Sequence, residues 1–255
     1  MLVAALDTAT LTLSCALVDV APGAAPAVRS ERTERTTAKP AQGKVGGHSA
    51  ALPNALVHLL TAEGIGIPAV EGYAIGLGPG SFTGLRIGLA TWKGLAYANR
   101  RPIAGASSLA AMALAAAADA GEGALLVPLL DAKKGEVYAG FYRAGPGGLV
   151  RVADEVAVSP AGLVARVRAF ADEGARPVAF GEGYDAHAEG LAPAVPRLAT
   201  AIATPPAGAL AALVAERLAG AAYDAQALFA LEPHYVRPSE AELKFPKGLG
   251  PGAGS

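Results

Sequence analysis

Gly76-Leu-Gly-Pro-Gly-Ser-Phe-Thr-Gly-Leu-Arg-Ile-Gly-Leu-Ala-Thr-Trp-Lys-Gly94 carries six glycines in 19 residues and passes from an apolar, strand-like entry into helical spacing. Leu85, Leu89, Trp92 and Ala96 fall at i, i+4, i+7 and i+11, one stripe of a helix. Gly84 and Gly88 line a neighbouring stripe that has no side chains. Each interior glycine costs a helix about 1 kcal/mol relative to alanine, so Gly84, Gly88 and Gly94 together forfeit about 3 kcal/mol. Something must approach the bare stripe closely to offset that. Upstream, Gly78-Pro-Gly80 is a turn between strand and helix, with Ser81 or Thr83 available as N-cap. Arg86 falls in the first turn, where a cation opposes the helix dipole. It therefore answers to a partner group: a carboxylate, a phosphate or a facing chain. The spacing matches neither a P-loop nor a dinucleotide-binding turn, which favours packing over phosphate cradling.

Outward from this stretch, Leu2 to Leu6, Leu11 to Asp19 and Ala27 to Glu34 read as strands, the first two joined by the polar turn Asp7-Thr-Ala-Thr10. Thr36 to Gly47 reads as a loop. From Ser49 the pattern is helical, with Leu52, Leu56, Leu59 and Leu60 on one face, and Tyr73 to Gly76 is a strand. Ala124–Asp131 and Glu136–Tyr142 then form a second strand pair around Ala132-Lys-Lys-Gly135. A strand ending in Asp, a polar turn and a return strand thus occur twice, at Asp7 and at Asp131, a weak internal repeat. A helix from Ser159-Pro160 to Asp172, a strand from Pro177 to Gly181 and an alanine-rich helix from Pro205-Pro206 to about Ala219 follow.

With 255 residues, 52% of them hydrophobic and 17% charged, the chain can bury a substantial core and suits one large or two modest domains. Its 21 basic and 22 acidic residues leave a net charge of −1, so it lacks the broad electrostatic footprint that draws a protein onto nucleic acid unaided. The single cysteine, Cys15, excludes an internal disulfide and a cysteine-based zinc site within one chain. The N-terminus lacks a basic leader and reaches Asp7 too soon for a signal peptide, and the alanine-rich run from Ala104 to Ala120 is too short and polar for a membrane span. The expected location is the cytoplasm.

Gly78-Pro-Gly-Ser-Phe-Thr-Gly-Leu-Arg86, followed by Lys93-Gly-Leu-Ala96, resembles the signature of the TsaB (YeaZ) family. That family is the non-catalytic partner of the threonylcarbamoyl transferase that modifies adenosine beside the anticodon of some tRNAs. The resemblance extends through Leu6-Asp-Thr-Ala9, His48-Ser-x-x-Leu-Pro53, Asp131-Ala-Lys-Lys-Gly-Glu-Val-Tyr138, Pro233-His-Tyr-Val-Arg237 and Ala241-Glu242. It implies an α/β fold of the duplicated actin-like, sugar-kinase and Hsp70 (ASKHA) architecture, two similar α/β domains. The expected division is 1–103 for a first domain carrying the partner-binding helices, 104–204 for a second, 205–247 for a C-terminal helix and tail packing back on the first, and 248–255 for a disordered tail.

In ATPases of that architecture a strand-end Asp followed by Gly and a hydroxyl residue lets the backbone approach phosphate. Asp7-Thr8-Ala9-Thr10 keeps the acid and hydroxyls but lacks the glycine, and Asp131 is followed by Ala-Lys-Lys. Asp7 and Asp131 accordingly have two readings: caps of their own turns, or, for Asp7 with Thr8 and Thr10, residual nucleotide contacts. The catalytic sister family carries two metal-binding histidines where this chain has Ser108 and Met112. Imidazole and carboxylate are what such a metal favours, and His48, His58, His187 and His234 show no paired i, i+4 spacing. No catalytic residue, metal site or cofactor is therefore expected in the chain itself; ATP or ADP and metal are expected in the partner or complex.

By resemblance the partner face is formed by the helices at about 49–63 and 83–99, with Leu52, Leu56 and Leu59 as apolar anchors, Gly84 and Gly88 permitting close helix crossing, and Arg86 with Lys93 fixing orientation. On this reading a bulky residue at Gly88 abolishes complex formation and leaves the monomer folded. The implied partners are a TsaD-type transferase subunit, a TsaE-type ATPase in the assembled complex, a second copy of the chain when alone, tRNA only indirectly, and no membrane. Two alternatives stay open: an independent ATPase or kinase using the hairpins, and a peptidase, for which Ser81, Ser107 and His48 offer no nucleophile constellation.

Overall fold

The structure, a computed structural model, describes residues 1–36, 48–145 and 148–237. The loop expected at 36–47 falls outside them from residue 37 on, as do the tail expected at 248–255 and the Ala241-Glu242 motif. The first half contains β1 (Leu2–Asp7), β2 (Thr12–Asp19), β3 (Ala27–Arg35), α1 (His48–Ala62), β4 (Gly72–Gly76), α2 (Phe82–Asn99) and β5 (Ile103–Ala106). After α3 (Ser108–Ala120) come β6 (Ala124–Lys133), β7 (Glu136–Gly145), β8 (Gly148–Val158), α4 (Pro160–Asp172), β9 (Arg176–Phe180), α5 (Glu182–Ala186) and α6 (Ala188–Leu191). The chain continues through α7 (Ala207–Leu218) and α8 (Ala225–Ala230).

Two sheets result, ordered β3-β2-β1-β4-β5 and β8-β7-β6-β9. In each, three strands form an antiparallel meander and a fourth joins parallel to the first. The duplication suggested by two Asp-bearing hairpins is thus repeated in strand order, the ASKHA arrangement; β5 is present only in the first sheet. A meander followed by a helical crossover explains the mixture, since antiparallel neighbours need only a tight turn and the parallel neighbour needs a long connection.

Both faces of each sheet are covered, so β1 and the first part of β6 read as continuous apolar runs rather than alternating ones. Leu6, Leu17, Leu52, Leu56, Tyr73, Trp92 and neighbours fill the layer between the first sheet and α1, α2 and α8. On the opposite face Val3, Val18 and Ala74 meet Ala207, Ala211, Val214 and Leu218 of α7. Alanines along α7 allow it to lie close, and it contacts α3, which covers the second sheet through Leu109, Met112 and Ala116. The central layer of the molecule is therefore the α3–α7 pair. Leu163 and Val167 of α4, with Tyr184 and Leu191, close the far face of the second sheet.

The start of α7 is capped from outside the helix. Its N-cap is Pro206, which offers no side-chain oxygen. Ser14 Oγ instead accepts from Ala207 N at 2.9 Å, and Glu31 Oε1 accepts from Gly208 N at 3.2 Å while receiving the Ser14 hydroxyl at 2.8 Å. Two residues of the β2–β3 hairpin thereby satisfy amides that a helix N-terminus leaves open.

Two strands were not legible in advance, the four-residue β5 and β8. β8 is an edge strand with a mostly half-exposed burial pattern and no clean alternation, so the apolar periodicity that marks a strand is weak there.

Candidate partner-binding site

The β1–β2 turn and the N-terminal half of α2 are packed against each other with no room between. Ser81 caps α2 by accepting from Gly84 N at 3.2 Å, and its own amide donates to Ala9 O at 2.6 Å. A β-carbon at Gly80 would sit 2.3 Å from Ala9 O, and one at Gly88 would sit 2.3 Å from Thr8 Oγ1. Thr8 Oγ1 donates to Gly84 O at 2.9 Å. The group that approaches the bare stripe of α2 is the chain's own hairpin turn. The aliphatic stripe Leu85, Leu89, Trp92 and Ala96 is buried beside it, with Trp92 Nε1 donating to Ala4 O at 3.0 Å.

Asp7 lies at the bottom of this packing, fully buried. Its Oδ1 accepts from Ala9 N at 2.8 Å and its Oδ2 from Ser108 Oγ at 2.6 Å. A β-carbon at Gly76 would fall 1.9 Å from Oδ2, so glycine is required there. Burial pushes the carboxyl up to about 6, against the pull of the Ser108 hydroxyl and the Ala9 amide. Thr10 is also buried, and its hydroxyl donates to Thr12 O and accepts from Thr12 N. The expected residual nucleotide contact through Asp7, Thr8 and Thr10 is therefore corrected: all three are enclosed, and the oxygens of Asp7 and Thr8 are engaged internally. A phosphate does not fit this turn. In the second hairpin Asp131 Oδ1 likewise accepts from an amide two residues on, Lys133 N, at 2.8 Å, while Oδ2 meets Lys133 Nζ at 2.6 Å. Both strand-end aspartates cap their own turns, as Asp does by reaching backbone two residues ahead.

Ser108, at one position where the sister family has histidine, bridges Asp7 and the Gly78 turn, accepting from Gly78 N at 3.2 Å. Met112, at the other, is fully buried. Among the described residues no group of three or more His, Cys, Asp or Glu side chains is placed to hold a metal ion. Ser81 and Ser107 are both helix caps, Ser107 accepting from Ala110 N and donating to Glu155. His48 opens α1, and its side chain lies outside what is described.

The outer face of α2 is different. Arg86 is exposed, its guanidinium 3.8 Å from the centroid of the Phe82 ring. Arg86 Nε donates to Tyr235 Oη at 3.0 Å, and Lys93 Nζ donates to Phe229 O at 3.0 Å. Partial burial pulls the Lys93 ammonium below its ordinary pKa, with Glu232 opposing. Ala90, Gly94 and Ala98 are exposed along the same helix, and nothing lies within 4 Å of a β-carbon at Gly94. Tyr97 and, on the adjoining α1, Val57 are each more than half exposed.

A family profile described as "TsaD: tRNA N6-adenosine threonylcarbamoyltransferase" matches residues 43–244. A "tRNA threonylcarbamoyladenosine biosynthesis protein TsaB" of Escherichia coli K12 is 38% identical over 91 residues, 36% of this chain and 39% of that protein. The Haemophilus influenzae protein of the same description is 40% identical over 80 residues, 31% of this chain and 34% of that one. The chain belongs to the TsaD family, in its TsaB (YeaZ) branch. The aligned stretches span less than two fifths of those two relatives. A solved structure titled "YeaZ from Pseudomonas aeruginosa" covers more, at 26% identity and TM-score 0.67 over 92% of this chain and 99% of that one. A second, described as an uncharacterized protein with similarity to peptidase YEAZ from Pseudomonas aeruginosa, gives 27% identity and TM-score 0.70 over the same shares.

For this TsaB-family chain, five of the seven residues expected at the partner face point inward. Leu52, Leu56 and Leu59 are core residues of the α1 layer, and Gly84 and Gly88 are buried against Thr8. The leucine periodicity that marked an apolar face was the face that covers the sheet. Arg86 and Lys93 do lie on the outer side. The expectation that a bulky residue at Gly88 leaves the monomer folded is corrected by the same contact. What sequence reasoning missed is the segment 229–235 along α2; its signal was the aromatic and charged content of Phe229, Glu232, His234 and Tyr235 in a stretch with no helical or strand period.

Proposed function

We propose that the chain is a non-catalytic subunit for forming threonylcarbamoyladenosine in tRNA, docking a TsaD-type transferase subunit through the outer faces of α1 and α2. The observation that carries this is the sealed β1–β2 turn: the element that embraces phosphate in ATPases of this architecture is filled by Thr8, Ser108 and the glycines of α2. A scaffold that has spent those groups on its own packing is left with surface to offer. The exposed line Ala90, Gly94 and Ala98, flanked by Tyr97 and by Arg86 and Lys93, permits close approach of a facing helix and orients it by charge.

On this reading ATP or ADP and metal are held by the partner or the complex, a TsaE-type ATPase joins the assembly, the free chain pairs with a second copy through the same face, and tRNA is met through the partner. The near-neutral net charge supports the last point. No helix among the described residues is long and apolar enough to cross a membrane, and we place the assembly in the cytoplasm. The decisive experiment mixes the purified chain with a TsaD-type subunit, measures association, and assays tRNA modification with each protein omitted in turn. Modification lost on omitting either protein is expected; efficient modification or metal-dependent hydrolysis by this chain alone would sink the reading.

A further inference from the structure

The last turn of α8, with Phe229, and the segment 231–237 that follows it without regular structure touch both halves of the molecule. Against α2, the Tyr235 hydroxyl accepts from Arg86, the Phe229 carbonyl accepts from Lys93, and the Phe82 and Tyr235 rings lie with centroids 5.2 Å apart. At the Gly78 turn, His234 N donates to Leu77 O at 2.7 Å. Against the second half, Arg237 Nη1 meets Glu136 Oε2 of β7 at 2.8 Å, and His234 Nε2 lies 3.6 Å from Glu155 Oε2 of β8. The Glu155 carboxylate is buried, its Oε1 accepting from Ser107 and Tyr142.

These two sets of contacts differ in kind. The hydrogen bonds of the α2 cations go to neutral acceptors, a phenol and a peptide carbonyl, with the Glu232 carboxylate acting on Lys93 only through its field. The far end of the segment is held by one ion pair, Arg237 to Glu136. A carboxylate adds a charge–charge attraction that a phenol or a peptide carbonyl cannot offer a guanidinium or an ammonium, so the α2 contacts are ones a carboxylate can take over. The packing there is also incomplete: a groove of about 490 Å³ remains between segment and helix, lined by Arg86, Leu89, Lys93, Phe229, Glu232 and Tyr235. At its edge Phe229 is 64% exposed and Tyr235 40%.

We propose that residues 229–237 form a strap that occupies the partner-facing cations of α2 until carboxylate side chains of the docking subunit displace it. The inference rests on the reading of α2 as the docking face. Partner carboxylates take Arg86 and Lys93, Tyr235 and the Phe229 carbonyl swing away, and the grip of Arg237 on Glu136 sets how readily the strap yields. The strap thereby links occupancy of α2 to the second half of the molecule.

Charge exchange at the far end tests this without touching α2. Arg237→Glu places two carboxylates together and should raise deuterium uptake across 229–237 in the full-length chain. It should also tighten association with the TsaD-type subunit by about two- to five-fold, the size of one partly exposed ion pair. The double exchange Glu136→Arg with Arg237→Glu should return both readings to wild type, which separates a released strap from a misfolded variant. Wild-type association that Arg237→Glu leaves unchanged or weakens would overturn the strap alone, whereas a wild-type chain that fails to associate at all would overturn the docking reading with it.

Discussion

Gly88 and Gly94 stand six residues apart in one helix and answer opposite demands. At Gly94 nothing lies within 4 Å of an added β-carbon, so Gly94→Ala should recover helix propensity and stabilise the chain by about 0.5–1 kcal/mol in urea unfolding. At Gly88 the same methyl meets Thr8 Oγ1 at 2.3 Å, and Thr8 is buried and tied to Gly84 O. The clash outweighs the propensity gain, and Gly88→Ala should lose about 1–3 kcal/mol in that assay, as overpacked sites do. Asp7 gives a pH signature of defined sign. Its carboxyl is raised from 3.8 to about 6 by burial, so between those values the folded chain binds more protons than the unfolded one. Stability therefore falls as pH rises from about 4 to 6, by about 3 kcal/mol for a shift of about two units. Asp7→Asn removes the ionisation, and unfolding curves of the two proteins across that window should diverge in favour of the variant as pH rises. The need for close approach at Gly84 and Gly88 was readable from their cost to the helix. Which surface made the approach was not, because Thr8 is remote in sequence and meets the helix only after the sheet has formed.

Elements were legible where the period was strong and the ends were marked. The α2 pattern, its Ser81 cap and the Ser159-Pro160 start of α4 are local features, and local features are written in consecutive residues. α7 shows the limit of this. Its alanine-rich body reads as helix, yet its first amides are satisfied by Ser14 and Glu31, nearly two hundred residues upstream in the chain. Removing the carboxylate by Glu31→Ala should cost about 1–2 kcal/mol, since a helix start loses its acceptor and the Ser14 hydroxyl loses a partner. Deuterium exchange should quicken first at Ala207 and Gly208; unaltered exchange there would show that the cap contributes nothing. The outer and inner faces of α1 and α2 were confused for a related reason. A helix between sheet and partner can be apolar on two sides, and Leu52, Leu56 and Leu59 belong to the side the sheet takes.

In the whole molecule, two α/β halves of like topology enclose the α3–α7 pair, and the strand-end aspartate of each half accepts from an amide of its own turn, with Asp7 sealed inside. If the outer side of α2 is the docking face, Gly94→Trp should reduce association with the TsaD-type subunit at least ten-fold while circular dichroism and the unfolding midpoint stay close to wild type, because the added ring projects into open space. Full association by that variant would place docking elsewhere. Taken alone, the amino-acid sequence determined the family, the duplicated α/β architecture and the principal helices and strands, since these rest on periodicity, turn chemistry and blocks of consecutive residues. Tertiary structure alone decided that the glycine stripe faces Thr8, that Asp7 is sealed, and that residues 229–237 lie along α2. Each of those depends on distances between residues far apart in the chain, and close packing sets such distances only once the sheets and their covering helices have assembled.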